Sequence, residues 1–290
     1  MALACSVVIA TRDRCRALTR ALESLAQQDN APPYEVVVVD NGSTDATRDA
    51  VERAASTSAV RYCYEPKANR GAARNRGVAQ ATGTYILFCD DDVRVPRNWI
   101  AAHLAAHAGD DDVVNGPILN VREAFDEPKP TFANYSRAFL CTCNVSLRKS
   151  SFDRCGGFDE RFDLYGWEDT ELGVRLREGG ARWRFAWDAY LWHVKSADEA
   201  PLEIEARKAV EKARMARRFL EKHPSRRARM ATGAHAVNLF RARYLLPEGY
   251  VALCAGLAAD QKTPGWLRSV ARGQFLDAVY ARELVRPADG

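Results

Sequence analysis

The 290-residue chain has no apolar run approaching the roughly 18 to 20 residues that a membrane-spanning helix requires, so it is not expected to cross a bilayer by helices. A basic leader followed by a long hydrophobic region is also missing, and Met1 to Ala10 reads as a buried first strand instead of a signal peptide. None of the eight cysteines belongs to a CxxC pair, and they scatter through apolar or helical stretches, which fits reduced cytosolic thiols filling a core. Cys141 and Cys143 flank one residue and would share a strand face, but with no second pair nearby a soft metal site loses to core packing. A large excess of one charge sign is missing as well. The formal net charge is only +4, with acids gathered near residue 91 and bases near residue 215. There is no repeat or low-complexity tract, and no Gly-rich turn after the first strand, where Thr11-Arg12-Asp13-Arg14 stands instead. That last absence argues against a dinucleotide-binding oxidoreductase.

What is present suffices for a core of one large or two modest domains, with 47% hydrophobic residues. Ser6 to Ala10 reads as a strand, followed by a loop and a helix on which Leu18, Leu22 and Leu25 recur. Tyr34 to Val39 is a β-branched strand that stops at Asp40-Asn41-Gly42-Ser43. Ala59 to Tyr64 and Tyr85 to Cys89 read as strands, with an Ala-rich helix from Ala72 to Ala81 between them. Pro96 to His107 reads as a helix, with Pro96 in its first turn. Strands are expected over Val113 to Val121 and Phe139 to Leu147, a helix over Glu168 to Glu178, and one or two strands over Arg182 to Val194. The pattern predicts an α/β domain over residues 1–197, with a mostly parallel mixed sheet covered by helices on both faces. A helical region with an acceptor-binding, membrane or assembly role is expected over 198–290, broken at Pro224, Pro247-Glu248-Gly249 and Pro264-Gly265.

Ligands of such sheets collect at the carboxyl ends of the strands. Asp90-Asp91-Asp92 stands at one of those ends, and clustered carboxylates are costly unless a cation neutralises them. Hard oxygen ligands suit Mg²⁺ or Mn²⁺ bridging to a diphosphate, the rival reading being a solvated acidic turn. Asp40 ends another strand and can accept a hydrogen bond from a base N–H or a ribose hydroxyl, or serve as an ordinary helix cap. Asn69-Arg70-Gly71 and Arg74-Asn75 open the helix before the aspartate strand, where guanidinium and backbone N–H groups would meet phosphate. Residues 206–229 hold ten Lys or Arg against Glu211 and Glu221, either a solvated face or a surface for an anionic membrane or a diphospholipid acceptor. No nucleic-acid reader motif accompanies that run.

Four segments together resemble the nucleotide-binding half of the inverting glycosyltransferases of family two, which have the GT-A fold: Val7 to Arg14, Val36 to Asp45, Asn69 to Asn75 and Phe88 to Asp92. The resemblance continues through Gly156-Gly157-Phe158-Asp159-Glu160 and Tyr165-Gly166-Trp167-Glu168-Asp169-Thr170-Glu171-Leu172, over about the first 195 residues. It implies a nucleotide-sugar donor, UDP first, held by Thr11, Arg14, Asp40, Asn41, Asn69, Arg70, Arg74, Asp90 and Asp91. It also implies Asp169, or else Glu168, as catalytic base, and His193 as a metal ligand beside Asp90 and Asp92. Attack of an alcohol on an anomeric carbon needs such a carboxylate and a cation near the leaving diphosphate. Trp167 is placed to stack on a sugar face, with Trp183, Trp187 and Trp192 weaker candidates for the same role and good candidates for core.

The acceptor stays open among a glycan, a lipid-linked sugar, a peptide and a small molecule, and the oligomeric state stays open too. A nucleotidyltransferase of the same fold would leave Glu168-Asp169 unexplained and lacks its early Gly- and Arg-rich loop. A degenerate sugar-binding module would have lost a ligand or the base, and every candidate is present. The expected location is the cytoplasm, with peripheral contact at the inner face of a membrane left open.

Overall fold

A computed structural model describes residues 3–123, 125–195 and 200–286. Among the described residues, ten strands run in chain order: β1 Cys5–Thr11, β2 Tyr34–Asp40, β3 Val60–Tyr64, β4 Tyr85–Cys89, β5 Val93–Arg94, β6 Asp112–Asn115, β7 Ile118–Val121, β8 Asn144–Arg148, β9 Arg182–Phe185 and β10 Leu191–Val194. Among them run helices α1 Cys15–Leu25, α2 Thr47–Ala55, α3 Arg70–Gln80, α4 Trp99–Ala105, α5 Lys149–Arg154 and α6 Glu168–Glu178. Beyond residue 200 come α7 Leu202–Lys222, α8 Arg226–Thr232, α9 Ala236–Phe240, α10 Glu248–Ala259 and α11 Gly265–Val285. The chain divides into two compact units, Met1–Asp163 with Glu168–Ala197, and Leu164–Trp167 with Asp198–Gly290. The expected junction at 197/198 falls among residues 196–199, outside the described residues. No described helix is long and apolar enough to cross a membrane.

Seven strands form the large sheet in the order β3-β2-β1-β4-β8-β6-β9. The four on the β3 side are parallel, while β8 runs antiparallel to both β4 and β6, which makes the sheet mixed as expected. Successive side chains of a strand face opposite ways, and the core divides accordingly. Val7, Ile9, Val36 and Val38 pack with Leu18 and Leu22 of α1, Val51 of α2 and Trp99 of α4. Val8, Ile86 and Phe88 pack on the other face with Val78 of α3, Phe152 of α5 and Leu172 of α6. A second sheet, β5-β10-β7, is small, with β10 antiparallel to β5 and parallel to β7.

Three expectations are corrected. The single strand over Val113 to Val121 is two strands in different sheets, interrupted at Gly116-Pro117. A Cβ at residue 116 would lie 1.8 Å from the carbonyl oxygen of Ala189, so the crossing requires glycine. The strand expected from Phe139 begins only at Asn144, which leaves Cys141 and Cys143 in the approach to β8 instead of on one strand face. Helix α4 begins at Trp99, three residues after Pro96, whose carbonyl accepts from the Trp99 amide.

In the helical unit, Trp167 stacks on Phe219 with ring centroids 5.2 Å apart, which explains why Leu164–Trp167 belongs there. The basic run is partly structural, since Arg214 and Arg217 of α7 both reach Glu283 of α11.

A neutral polar chain crosses the sheet unit between α4 and β8. Asn144 donates to the carbonyls of Pro117 and Ala189, so its Oδ1 accepts from Trp99 Nε1 and from His103 Nε2. Ser146 then donates to Nδ1 of His103 and accepts from His107. Burial pushes both imidazoles down from the ordinary 6.5 to about 4. Between pH 6.5 and 4 the unfolded chain takes up protons that the folded chain refuses, so stability present above pH 6.5 is lost as the pH falls toward 4. The melting temperature is expected to drop on acidification from pH 7 to 5, and His103→Gln to give a lower but flatter profile. Parallel profiles for the two proteins would contradict this role for His103.

Candidate functional site

The loops after β1 and β2 are laced together at the carboxyl edge of the sheet. Thr44 donates to Asp13 through its amide at 2.7 Å, Ser43 Oγ accepts from the Asp13 amide, and Asp45 accepts from the amide of Cys15. Gly42 turns this loop with φ +83°, a conformation that side-chain-bearing residues rarely adopt. Asp40 is buried, and its two oxygens accept from the Ser43 amide and the Tyr62 hydroxyl, both at 2.8 Å. Asn41 holds the carbonyls of Glu65 and Lys67. Both residues therefore shape the loop from within, a more structural placement than donor contact alone implies, and Tyr62 is a partner that sequence reasoning missed.

The aspartate triplet divides by direction. Asp91 turns into the protein, accepting from Thr11 Oγ1 at 2.7 Å and from Arg14 at 3.1 Å. Burial raises its pKa to about 6 against the opposing pull of Arg14 and Thr11. Thr11 and Asp91, expected to contact nucleotide, thus face one another inside the fold. Asp90 and Asp92 lie with His193 so that one ligand atom from each falls within 4.8 Å of the others. The cause is strand pairing: β5 follows the triplet directly and sets Val93 opposite His193, while the Val194 amide donates to the Asp92 carbonyl at 2.8 Å. Nε2 of His193 lies 3.0 Å from Oδ1 of Asp92, yet that buried oxygen takes no aligned hydrogen bond. Two carboxylates and an imidazole converging on a common point, one oxygen lacking a donor, fit a divalent cation with mixed oxygen and nitrogen ligands. Arg14 reaches the other oxygen of Asp92 at 2.7 Å.

Arg74 joins this cluster to the acidic pair at the start of α6. Its guanidinium stands 3.5 Å from Asp90, 3.2 Å from Glu168 and 3.3 Å from Asp169, and packs over the Phe158 ring. The sequence reading offered Arg74 to phosphate, but the fold seats it among carboxylates because α3 is fixed at both sides. Asn69 caps the helix by accepting from the Ala72 amide and donates to the Glu160 carbonyl. Asn75 exchanges hydrogen bonds with the backbone of Phe158. Asn69 is therefore a capping residue, whereas Arg70 is exposed at the head of the helix. Asp169 also accepts from the amide and hydroxyl of Thr142, at 3.1 and 2.7 Å. Nothing in the sequence marked Thr142, which lies where a strand was expected. Burial and the neighbouring Asp169 raise the pKa of Glu168, while Arg74 opposes them. Trp167 lies in the helical unit against Phe219.

Residues 6–158 match the family model described as glycosyl transferase family 2, and residues 124–195 match one described as N-terminal domain of galactosyltransferase. Validoxylamine A glucosyltransferase of Streptomyces hygroscopicus subsp. limoneus is 32% identical over 262 residues, covering 76% of this chain and 57% of its own length. Chondroitin synthase of Escherichia coli is 25% identical over 237 residues, covering 65% of this chain and 34% of its own. The chain thus spans less than two thirds of the length of these relatives. Among solved structures, S. aureus TarS 1-349 in complex with UDP-GlcNAc has a TM-score of 0.58 at 21% identity, covering 97% of this chain and 90% of that one. Mannosyltransferase PcManGT from Pyrobaculum calidifontis, in complex with GDP-Man and Mn²⁺, has a TM-score of 0.65 at 20% identity, covering 97% and 85%. These likenesses agree with a GT-A fold.

Removing the cation at the centre of the cluster is a direct test of this geometry. Arg74→Leu leaves the buried Glu168 without its cation beside the partly exposed Asp90 and Asp169, and is expected to cost about 3 to 5 kcal/mol of unfolding free energy in urea at pH 7. The deficit should shrink toward pH 5 as carboxylates protonate. A midpoint equal to that of the unaltered protein would show that Arg74 does not compensate these charges.

Proposed function

The chain belongs to glycosyl transferase family 2, and from that membership we propose that it is a metal-dependent inverting glycosyltransferase. It moves a sugar from a nucleotide diphosphate, UDP first among them, to an acceptor hydroxyl. The observation that carries the reading is the convergence of Asp90, Asp92 and His193 beside Arg74, Glu168 and Asp169. A relative named as a glucosyltransferase supports hexosyl transfer, and fold neighbours solved with UDP-GlcNAc, or with GDP-Man and Mn²⁺, support a nucleotide-linked donor and a divalent ion.

In this reading Asp90, Asp92 and His193 hold the cation, and the imidazole tilts preference toward Mn²⁺ over Mg²⁺. Bound there, the ion neutralises the charge of the departing diphosphate. Asp169 is the base. Its carboxylate, held by Thr142 and Arg74, takes the proton of the acceptor hydroxyl as that oxygen forms its bond to the anomeric carbon and the carbon–diphosphate bond breaks on the opposite face. One displacement inverts the anomeric configuration. Arg70, exposed at the start of α3, is the basic group offered to the phosphates, and the helical unit serves acceptor or peripheral membrane contact, or assembly.

Calorimetry is expected to show UDP binding that depends on Mn²⁺ and is lost in Asp92→Ala. Asp169→Asn should lower turnover by roughly 10² to 10⁴-fold with UDP affinity little altered. Equal UDP affinity with and without Mn²⁺ would sink the metal assignment. Activity lost in Glu168→Gln but kept in Asp169→Asn would move the base to Glu168.

A further inference from the structure

Five aromatic side chains gather at the β9 edge of the large sheet. Trp183 and Phe185 belong to β9, the edge strand, Trp187 follows it, and Phe132 and Tyr135 come from the loop between β7 and β8. Their rings touch in sequence: Phe132 on Trp187 at 5.7 Å, Phe185 on Trp187 at 4.9 Å, Tyr135 on Phe185 at 5.0 Å and on Trp183 at 5.8 Å. Three of them are open to solvent, Phe132 at 91%, Tyr135 at 45% and Trp187 at 37%. A contiguous exposed aromatic patch is not what core packing produces, and such patches mark binding surfaces. The edge-to-face contacts, with interplanar angles of 75° and 76° at Tyr135–Trp183, Phe132–Trp187 and Phe185–Trp187, brace each ring against its neighbour. The shelf is formed in advance of any ligand, so binding loses little side-chain freedom.

Its position in the sheet gives the shelf a partner. Cys89 pairs with Asn144, Val145 with Asn115, and Asn115 with Phe185, so the end of β9 emerges on the same edge as Asp90–Asp92. Three inter-strand steps of about 4.8 Å separate them, roughly 14 Å. The loop that supplies Phe132 and Tyr135 runs on to the candidate base: Asn115 holds its Ala138 and Phe139 carbonyls, and Thr142 then grips Asp169. The segment that contributes Phe132 and Tyr135 to the shelf therefore ends, at Thr142, against the proposed base.

We propose that this shelf binds a saccharide ring of the acceptor beyond the one that reacts, so that the acceptor is an oligosaccharide or glycoside reaching from Asp169 to Trp187. This rests on the glycosyl-transfer reading. A pyranose presents a face of C–H groups ringed by hydroxyls. The electron-rich faces of aromatic rings attract those C–H groups, and flat apolar area leaves water while the hydroxyl rim stays wet. A glycan suits this place better than a lipid or protein surface because the shelf continues the edge along which an acceptor must lie to put its hydroxyl at Asp169.

The test uses the full chain with UDP and MnCl₂, and immobilised maltotetraose, cellotetraose and chondroitin tetrasaccharide beside glucose. At least one tetrasaccharide is expected to retain the protein more tightly than glucose does. Trp187→Ala and Phe132→Ala should each weaken that retention about tenfold or more, and Phe132 is so exposed that its truncation does not threaten the fold. UDP affinity measured on the same samples reports that each variant is folded. Retention unchanged in both variants, or no preference for any tetrasaccharide in the unaltered protein, would overturn the proposal. So would phosphatidylglycerol–phosphatidylcholine vesicles that sediment the unaltered protein but not Trp187→Ala, since the shelf would then face a lipid surface. Loss of Mn²⁺-dependent UDP binding in the unaltered protein would count against the transferase reading, while glycan retention still reports on the shelf by itself.

Discussion

The guanidinium of Arg74 stands between carboxylates that come from two distant stretches of chain, Asp90 after β4 and Glu168 and Asp169 at the head of α6. Brought together around a buried glutamate, those acids would repel one another, and the fold tolerates them because a fixed cation lies among them. Much else in the sheet unit serves to fix that cation. Asn69 caps α3 and Asn75 pins it to the Phe158 backbone. Arg175 holds Glu171 and the carbonyl of Gly157, so α6 is tied to the same loop from the other side. Yet the compensation is incomplete. Among the described residues, the arginines paired with Asp90, Asp91, Asp92, Glu168 and Asp169 are Arg14 and Arg74, and the His193 imidazole lies against Asp92. The residual negative charge is what a divalent ion would neutralise, and Asp90 and Asp92 are the acids that stand beside His193.

The three consecutive aspartates divide because the chain turns at Asp91-Asp92 between β4 and β5. Asp91 is drawn inward, where Thr11 and Arg14 tie the end of β4 to the end of β1. Its neighbours are left facing the crevice. The innermost acid thus orders the loop, and the turn leaves the outer two beside His193. Small sheet and large sheet meet in this arrangement, since β5, only two residues long, is what aligns His193 with Asp92.

The alternation of elements was legible because β-branched runs such as Val36 to Val39 and helical repeats such as Leu18, Leu22 and Leu25 are local signals. The Gly116-Pro117 break was not, because its reason is a carbonyl of Ala189 more than seventy residues away. The same limit applies to the site. Which residues gather there was readable from motifs, but their directions were not. Short polar side chains such as Thr11, Asp40, Asn41 and Asn69 look alike whether they face a ligand or the backbone, and in this fold their hydrogen bonds go largely to the protein itself. Thr142 and Tyr62 carried no signal, being ordinary residues whose importance comes from the carboxylates that lie against them. The aromatics near β9 posed the opposite difficulty: strand spacing favours core, and only their place on an edge strand turns them outward.

The proposed choice of Asp169 over Glu168 as base follows from what each carboxylate has around it. Glu168 is nearly enclosed, its side chain 9% exposed, and burial raises its pKa, so it gains from staying beside Arg74 and has little access to an incoming hydroxyl. Asp169 is 26% exposed, and its contacts with Thr142 and Arg74 orient it without enclosing it. A base must be reachable by the acceptor and also be held in one geometry, because a proton is transferred only across a short, aligned hydrogen bond. Asp169 meets both conditions and Glu168 only the second. The glutamate's part is then electrostatic: by anchoring Arg74 it fixes the cation that keeps its neighbour in place. A small change in the seat of α3 would accordingly disturb the base and the cation-facing acids together, even though neither belongs to that helix.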